Sequence, residues 1–212
     1  MNIRTMTTAV AAGLALTLIC PAGPAGAEAQ KARGTTSLAA VLAADGAGYD
    51  RNWSDYDILD KAVRTVLAAK PDSPVAVLAD GKVALTAFLP KDVAFRRLVF
   101  DLTGRKLSKE RSVFRVLSEV ADVDTLEAVL LYHAVPGATI TYRQAQKANG
   151  ATLDTALSGA DIRVAVRRGA VHLRDDDPND RDPRVIPTSS DINKGNRQIA
   201  HGINRVLRPL DL

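Results

Sequence analysis

Val123-Asp-Thr-Leu-Glu-Ala-Val-Leu-Leu-Tyr-His-Ala-Val-Pro-Gly137 is the stretch on which the reading of this sequence turns. Asp124 stands where a helix N-cap is wanted and Glu127 follows three residues later, a capping-box spacing with Asp in place of Ser or Thr. Leu126, Val129, Leu130 and His133 then fall at i, i+3, i+4 and i+7, on one face of a helix that Pro136 and Gly137 are expected to stop. A histidine closing an apolar stripe needs a hydrogen-bond partner once buried, since an unpaired polar group away from water is costly.

Upstream, Val83–Leu89 is apolar at every position but Thr86, the pattern of a strand covered on both faces. Pro90 ends it, Asp92 is placed to cap a helix with Phe95, Leu98, Val99 and Leu102 inward, and Gly104 closes that helix. Ser37 and Ser54 or Asp55 start two earlier helices, the second carrying Ile58, Leu59, Ala62, Val63, Val66 and Leu67 inside. Its Asp57–Lys61 and Asp60–Arg64 pairs are expected on the wet side. Ser108 opens a helix with Val113, Val116, Leu117 and Val120 inward.

Downstream of Gly137 the period changes. Thr139–Thr141 reads as a short strand and Tyr142–Asn149 as a brief helix. Ile162, Val164 and Val166 alternate with Asp161, Arg163, Ala165 and Arg167, and Arg168-Gly169 turns the chain into Val171 and Leu173. This is a hairpin with one apolar and one cationic face. An acidic, proline-bounded loop, Asp175–Asp182, follows and is expected to be solvated, its charge offset by neighbouring arginines such as Arg163 and Arg167. Gln198–Leu207 is the last strand.

Arg4, the apolar run Ala9–Ile19 and Ala25-x-Ala27 make residues 1–27 a secretory signal peptide. Ile19 precedes Cys20 where a lipoprotein signal needs a small residue, so Cys20 is expected to leave with the leader and the mature chain to lack thiols. Residues 28–36 are expected to be disordered and 37–212 to form one domain. The formal net charge of +4 at pH 7 is too small to indicate nucleic acid, and no later segment is long enough to span a membrane. Abundant alanine and an excess of arginine over lysine suggest a bacterial source.

Three strings carry a family resemblance. Thr86, Phe88, Pro90, Asp92, Ala94 and Phe95 match the first box of fasciclin domains. Tyr132, His133, Pro136 and Gly137 match the tyrosine-histidine motif, and His201, Leu207 and Pro209 the second box. The sequence departs from the pattern at Asn204, usually Asp, and at Arg197-Gln198, usually Gly-Val. The resemblance implies an α+β fold, a wedge or sandwich of short strands with packed helices. It also implies a non-catalytic, extracellular adhesion module, a monomer binding a protein or a cell-wall glycan without a cofactor. In animal members an Asp-Ile pair before the last turn, here Asp191-Ile192, is implicated in integrin binding.

Read without the family, the residues offer little chemistry. His133, His172 and His201 have no zinc spacing, and no Gly-x-Ser-x-Gly or Ser-x-x-Lys occurs. Asp175, Asp177 and Asn179 mimic the start of a calcium loop, but Asp180 replaces its glycine and Ile186 its final glutamate. No metal site and no catalytic residue are therefore expected. Candidate binding residues are Asp191, Ile192, Tyr132, Asp175, Asp177, Arg163 and Arg167; the rival reading is a secreted hydrolase or small-ligand binder on the same fold.

Overall fold

The computed structural model describes residues 33–44, 46 and 48–210. The leader, its cleavage site and Cys20 lie outside them. Among the described residues six α-helices and six strands alternate irregularly: α1 Leu38–Ala43, α2 Asp57–Ala69, β1 Leu85–Pro90, α3 Asp92–Thr103, α4 Glu110–Val120, α5 Val123–Tyr132, β2 Ala134–Pro136, α6 Tyr142–Ala145, β3 Thr152–Asp154, β4 Asp161–Arg167, β5 Ala170–Arg174 and β6 Gln198–Ile203. No described helix is long and apolar enough to cross a membrane.

β1 is the central strand the sequence implies. It pairs antiparallel with β2 and parallel with β6, in the order β2-β1-β6, and every one of its residues is buried. Its pleat explains why both faces are apolar. Leu85, Ala87 and Leu89 meet the helices through Ile58, Val66, Val99 and Val113. Phe88 points the other way, to a second core with Tyr132, Val164, Val171, Leu173 and Leu207. That second core lies against the antiparallel sheet β3-β4-β5. The fold class is α+β, with two small sheets and packed helices.

The Arg168-Gly169 turn has both residues at positive φ, 51° and 80°, the primed geometry that matches strand twist. Several local expectations shift. The cap of α5 is Asp122, which accepts from Thr125 N, and not Asp124. Asp124 and Glu127 instead hold Lys70 across the groove from α2. α5 ends at Tyr132 because the chain leaves to pair as β2, so Pro136 and Gly137 end a strand. Residues 139–141 are not a strand; Thr86 Oγ1 pins this segment by donating to Ala138 O and accepting from Ile140 N. Val120 and Leu102 are exposed, lying past the packed turns of their helices.

Residues 34–38 are tied to the turn before β6. Gly34 bridges Asn196, Thr36 N donates to Asn196 Oδ1, and Leu38 N donates to the buried Gln198 side chain. Gln198 Nε2 donates in turn to Val77 O and Asp80 O. The departure from the family pattern at 198 thus ties three segments together.

Candidate functional site

Three places could carry function: the histidine pair with Asp191, the cationic hairpin with its acidic loop, and a group of carboxylates that the sequence reading missed.

His133 caps α5 at its C-terminus and is buried. Its Nδ1 lies 2.7 Å from Val129 O, and its Nε2 accepts from Leu207 N at 2.9 Å. The backbone partners require a neutral ring with the proton on Nδ1. Burial pushes its pKa down to about 4. His201 has the opposite tautomer: Nε2–H donates to Ile140 O at 2.8 Å, and Nδ1 accepts from Asp191 N at 3.2 Å. Asp191 Oδ1 stands 3.9 Å from that nitrogen, but burial also lowers the His201 pKa, so the pair is not ionic at neutral pH.

Asp191 sits at φ 55° and receives Tyr142 N on Oδ1 and Lys194 on Oδ2. Burial acts to raise its pKa, yet these partners hold it below the usual carboxylate range. Ile192 exchanges two backbone hydrogen bonds with Ala200 and packs partly buried on the helical core. Tyr132 is fully buried and donates to Asp161 O at 2.9 Å. These residues brace the second box against the rest of the fold.

The acidic loop is not a free solvated insertion. Asp177 is buried, receives Arg208 Nη1 at 3.0 Å, and accepts from Asn179 N and Asp180 N through its other oxygen. Asp180 pairs with Arg205 at 2.7 Å, and Asp175 accepts from Arg208 N. Burial raises Asp175 to about 6. The arginines that neutralise the loop therefore come from the C-terminal segment. Only Asp182 meets the hairpin, at 3.3 Å from Arg167 and 4.0 Å from Arg174.

Arg163 and Arg167 are exposed on β4 while Ile162 and Val164 are buried, as the alternation implies. Beside them a hollow of about 680 Å³ is lined by Arg97, Arg167, His172, Arg181, Arg184 and Arg205, with Asp180 and Asp182. Among the described residues no carboxylate pairs with Arg97, Arg163, Arg181 or Arg184.

The third place gathers Asp50, Asp55, Asp57, Asp92 and Glu110. One oxygen each of Asp57, Asp92 and Glu110 lies within 4.8 Å of the others, and so does one each of Asp50, Asp55 and Asp57. Asp57, Asp92 and Glu110 are the first residues of α2, α3 and α4. Asp92 does not cap its own helix; its Oδ1 accepts from Ile58 N, closing the start of α2. Burial, reinforced by the neighbouring carboxylates, raises Asp57 to about 6 and Asp92 to about 8. Asp57, Asp92 and Glu110 are spread over 54 positions on three helices, which leaves no motif; the one local cue is the Asp50, Asp55, Asp57 spacing.

A family model, described as Fasciclin domain, matches residues 61–209. Among solved structures, a FAS1 domain pair from the insect cell adhesion molecule fasciclin I is similar with a TM-score of 0.51 at 17% sequence identity. The match covers 82% of this chain and 51% of that one, so the chain spans about half the length of that domain pair. At this identity the likeness speaks to the fold alone. No curated protein matches the sequence.

Proposed function

Because the chain belongs to the fasciclin domain family, we propose that it is a secreted interaction module, released after residue 27 and acting without turnover. It engages an extracellular protein or cell-wall glycan through anionic groups of that partner. The observation that carries this reading is the cationic face, where Arg163 and Arg184 project without a carboxylate partner beside the arginine-lined hollow. Charged surfaces of this kind set encounter rate and salt dependence. A hydrolase is the weaker reading, because both ring nitrogens of His133 and His201 are spent on backbone groups.

Asp191, Ile192, Tyr132, Asp175 and Asp177 serve in this proposal as internal struts, and Arg163 and Arg167 as contact residues. The test is capture on purified cell-wall polymers and matrix proteins across a salt series, with wild type against Arg163→Glu/Arg184→Glu. Loss of capture and a flatter salt slope in the folded variant are expected. Unchanged capture would move the binding surface elsewhere.

A further inference from the structure

We propose that the meeting point of α2, α3 and α4 is a calcium site, with Asp57, Asp92 and Glu110 as its protein ligands. Asp92 is 0% and Glu110 2% exposed; one oxygen of each accepts a backbone N–H, from Ile58 and Arg51, and the other, together with Oδ2 of Asp57, is buried with no donor apart from the Asp55 carboxyl beside Asp92. A buried charged oxygen with no donor is expensive unless a cation or proton meets it. None of the three makes an ion pair with a described residue. Of the cations near these residues, Lys61 stands four positions after Asp57 without pairing with it, Arg64 is held by Asp60 at 2.6 Å, and Arg111 stands over the Tyr49 ring.

The three helices carry no side-chain cap of their own. Each contributes roughly half a positive charge at its N-terminus, together about 1.5. With all three first-residue carboxylates ionised, that is short of their charge, and Asp55 and Asp50 stand beside them. A divalent cation supplies the remaining positive charge.

Donor chemistry selects which one. The donors are all oxygens, with no histidine or thiolate, which suits hard cations. An oxygen spread of up to 4.8 Å is spanned by a cation binding at 2.3–2.6 Å, the calcium range. Magnesium demands a near-ideal octahedron, whereas calcium accepts the irregular donor set that three separate helix starts present. Asp57 also borders a hollow of about 560 Å³ whose wall holds Tyr49, Asp60 and the cations Lys61, Arg64, Arg111 and Arg115.

The site is apart from the cationic face, so its fate does not depend on that of the interaction reading. The experiment takes the full chain, stripped with chelator, and measures melting temperature against calcium and magnesium. Terbium luminescence is followed in parallel, with Tyr49, whose hydroxyl feels Asp57, Asp92 and Glu110, as antenna. Calcium at about 100 times its dissociation constant is expected to multiply the folded-to-unfolded ratio about 100-fold. Sensitised terbium emission should be displaced by calcium far better than by magnesium. Glu110→Gln and Asp57→Asn should lose both responses. Asp57 is only half-buried, so Asp57→Asn decides the matter should Glu110→Gln fail to fold. No response in wild type at millimolar calcium overturns the site. So does a wild-type response in Asp57→Asn, which would put the ion elsewhere, and equal affinity for magnesium overturns the choice of calcium.

Discussion

Acidification should loosen this fold through His133, by an amount that can be worked out. The ring is buried, its two nitrogens are committed to Val129 O and Leu207 N, and no charged group contributes to its shift. Protonating Nε2 would set an N–H against the Leu207 N–H. The folded pKa is therefore about 4, against an ordinary value of 6.5. Between those values the unfolded chain binds a proton that the folded chain refuses. Stability is thus complete above pH 6.5 and falls as pH drops toward 4.

Integrating that difference gives a loss of about 2 kcal/mol from pH 7 to pH 5 and about 3 kcal/mol at pH 4. Against the 5–15 kcal/mol typical of a domain, this is a large share. His201, also lowered by burial, adds in the same direction. The assay is urea unfolding at pH 7 and pH 5 for wild type and His133→Asn, with ring titration followed by NMR. The variant should be weaker at pH 7, with a pH dependence smaller by about 2 kcal/mol. Equal pH dependence in the two proteins, or a His133 ring titrating near 6.5 while folded, would refute the reasoning.

Other outcomes can be checked alongside. Gln198→Leu strands the Leu38 N–H and two carbonyls; a loss of roughly 3 kcal/mol is expected, with earlier amide exchange in α1. Arg208→Ala leaves Asp177 buried without its partner and should cost about 3–5 kcal/mol, opening residues 175–182 to limited proteolysis. Gly81→Ala would put a Cβ 1.8 Å from Thr35 O; residues 34–38 should detach, seen as lost protection at Leu38 with the rest of the fold retained.

What the sequence determined by itself was whatever follows from short-range pattern. Unbroken apolarity marked β1 as central, strict alternation marked the β4–β5 hairpin, and the stripe ending at His133 required a buried, satisfied ring. Three motifs in register were enough for the family. Cap positions slipped by one or two residues because several acidic or hydroxyl side chains compete at each helix start, and packing picks among them. Asp122 thus caps α5 while Asp124 turns to Lys70. Only the tertiary structure could decide what long-range partners do with a charge. Asp175 and Asp177 read as solvated until Arg208, about thirty residues on, is folded against them. Asp57, Asp92 and Glu110 read as unrelated helix starts, because nothing in a linear chain says that three helices will begin at one point.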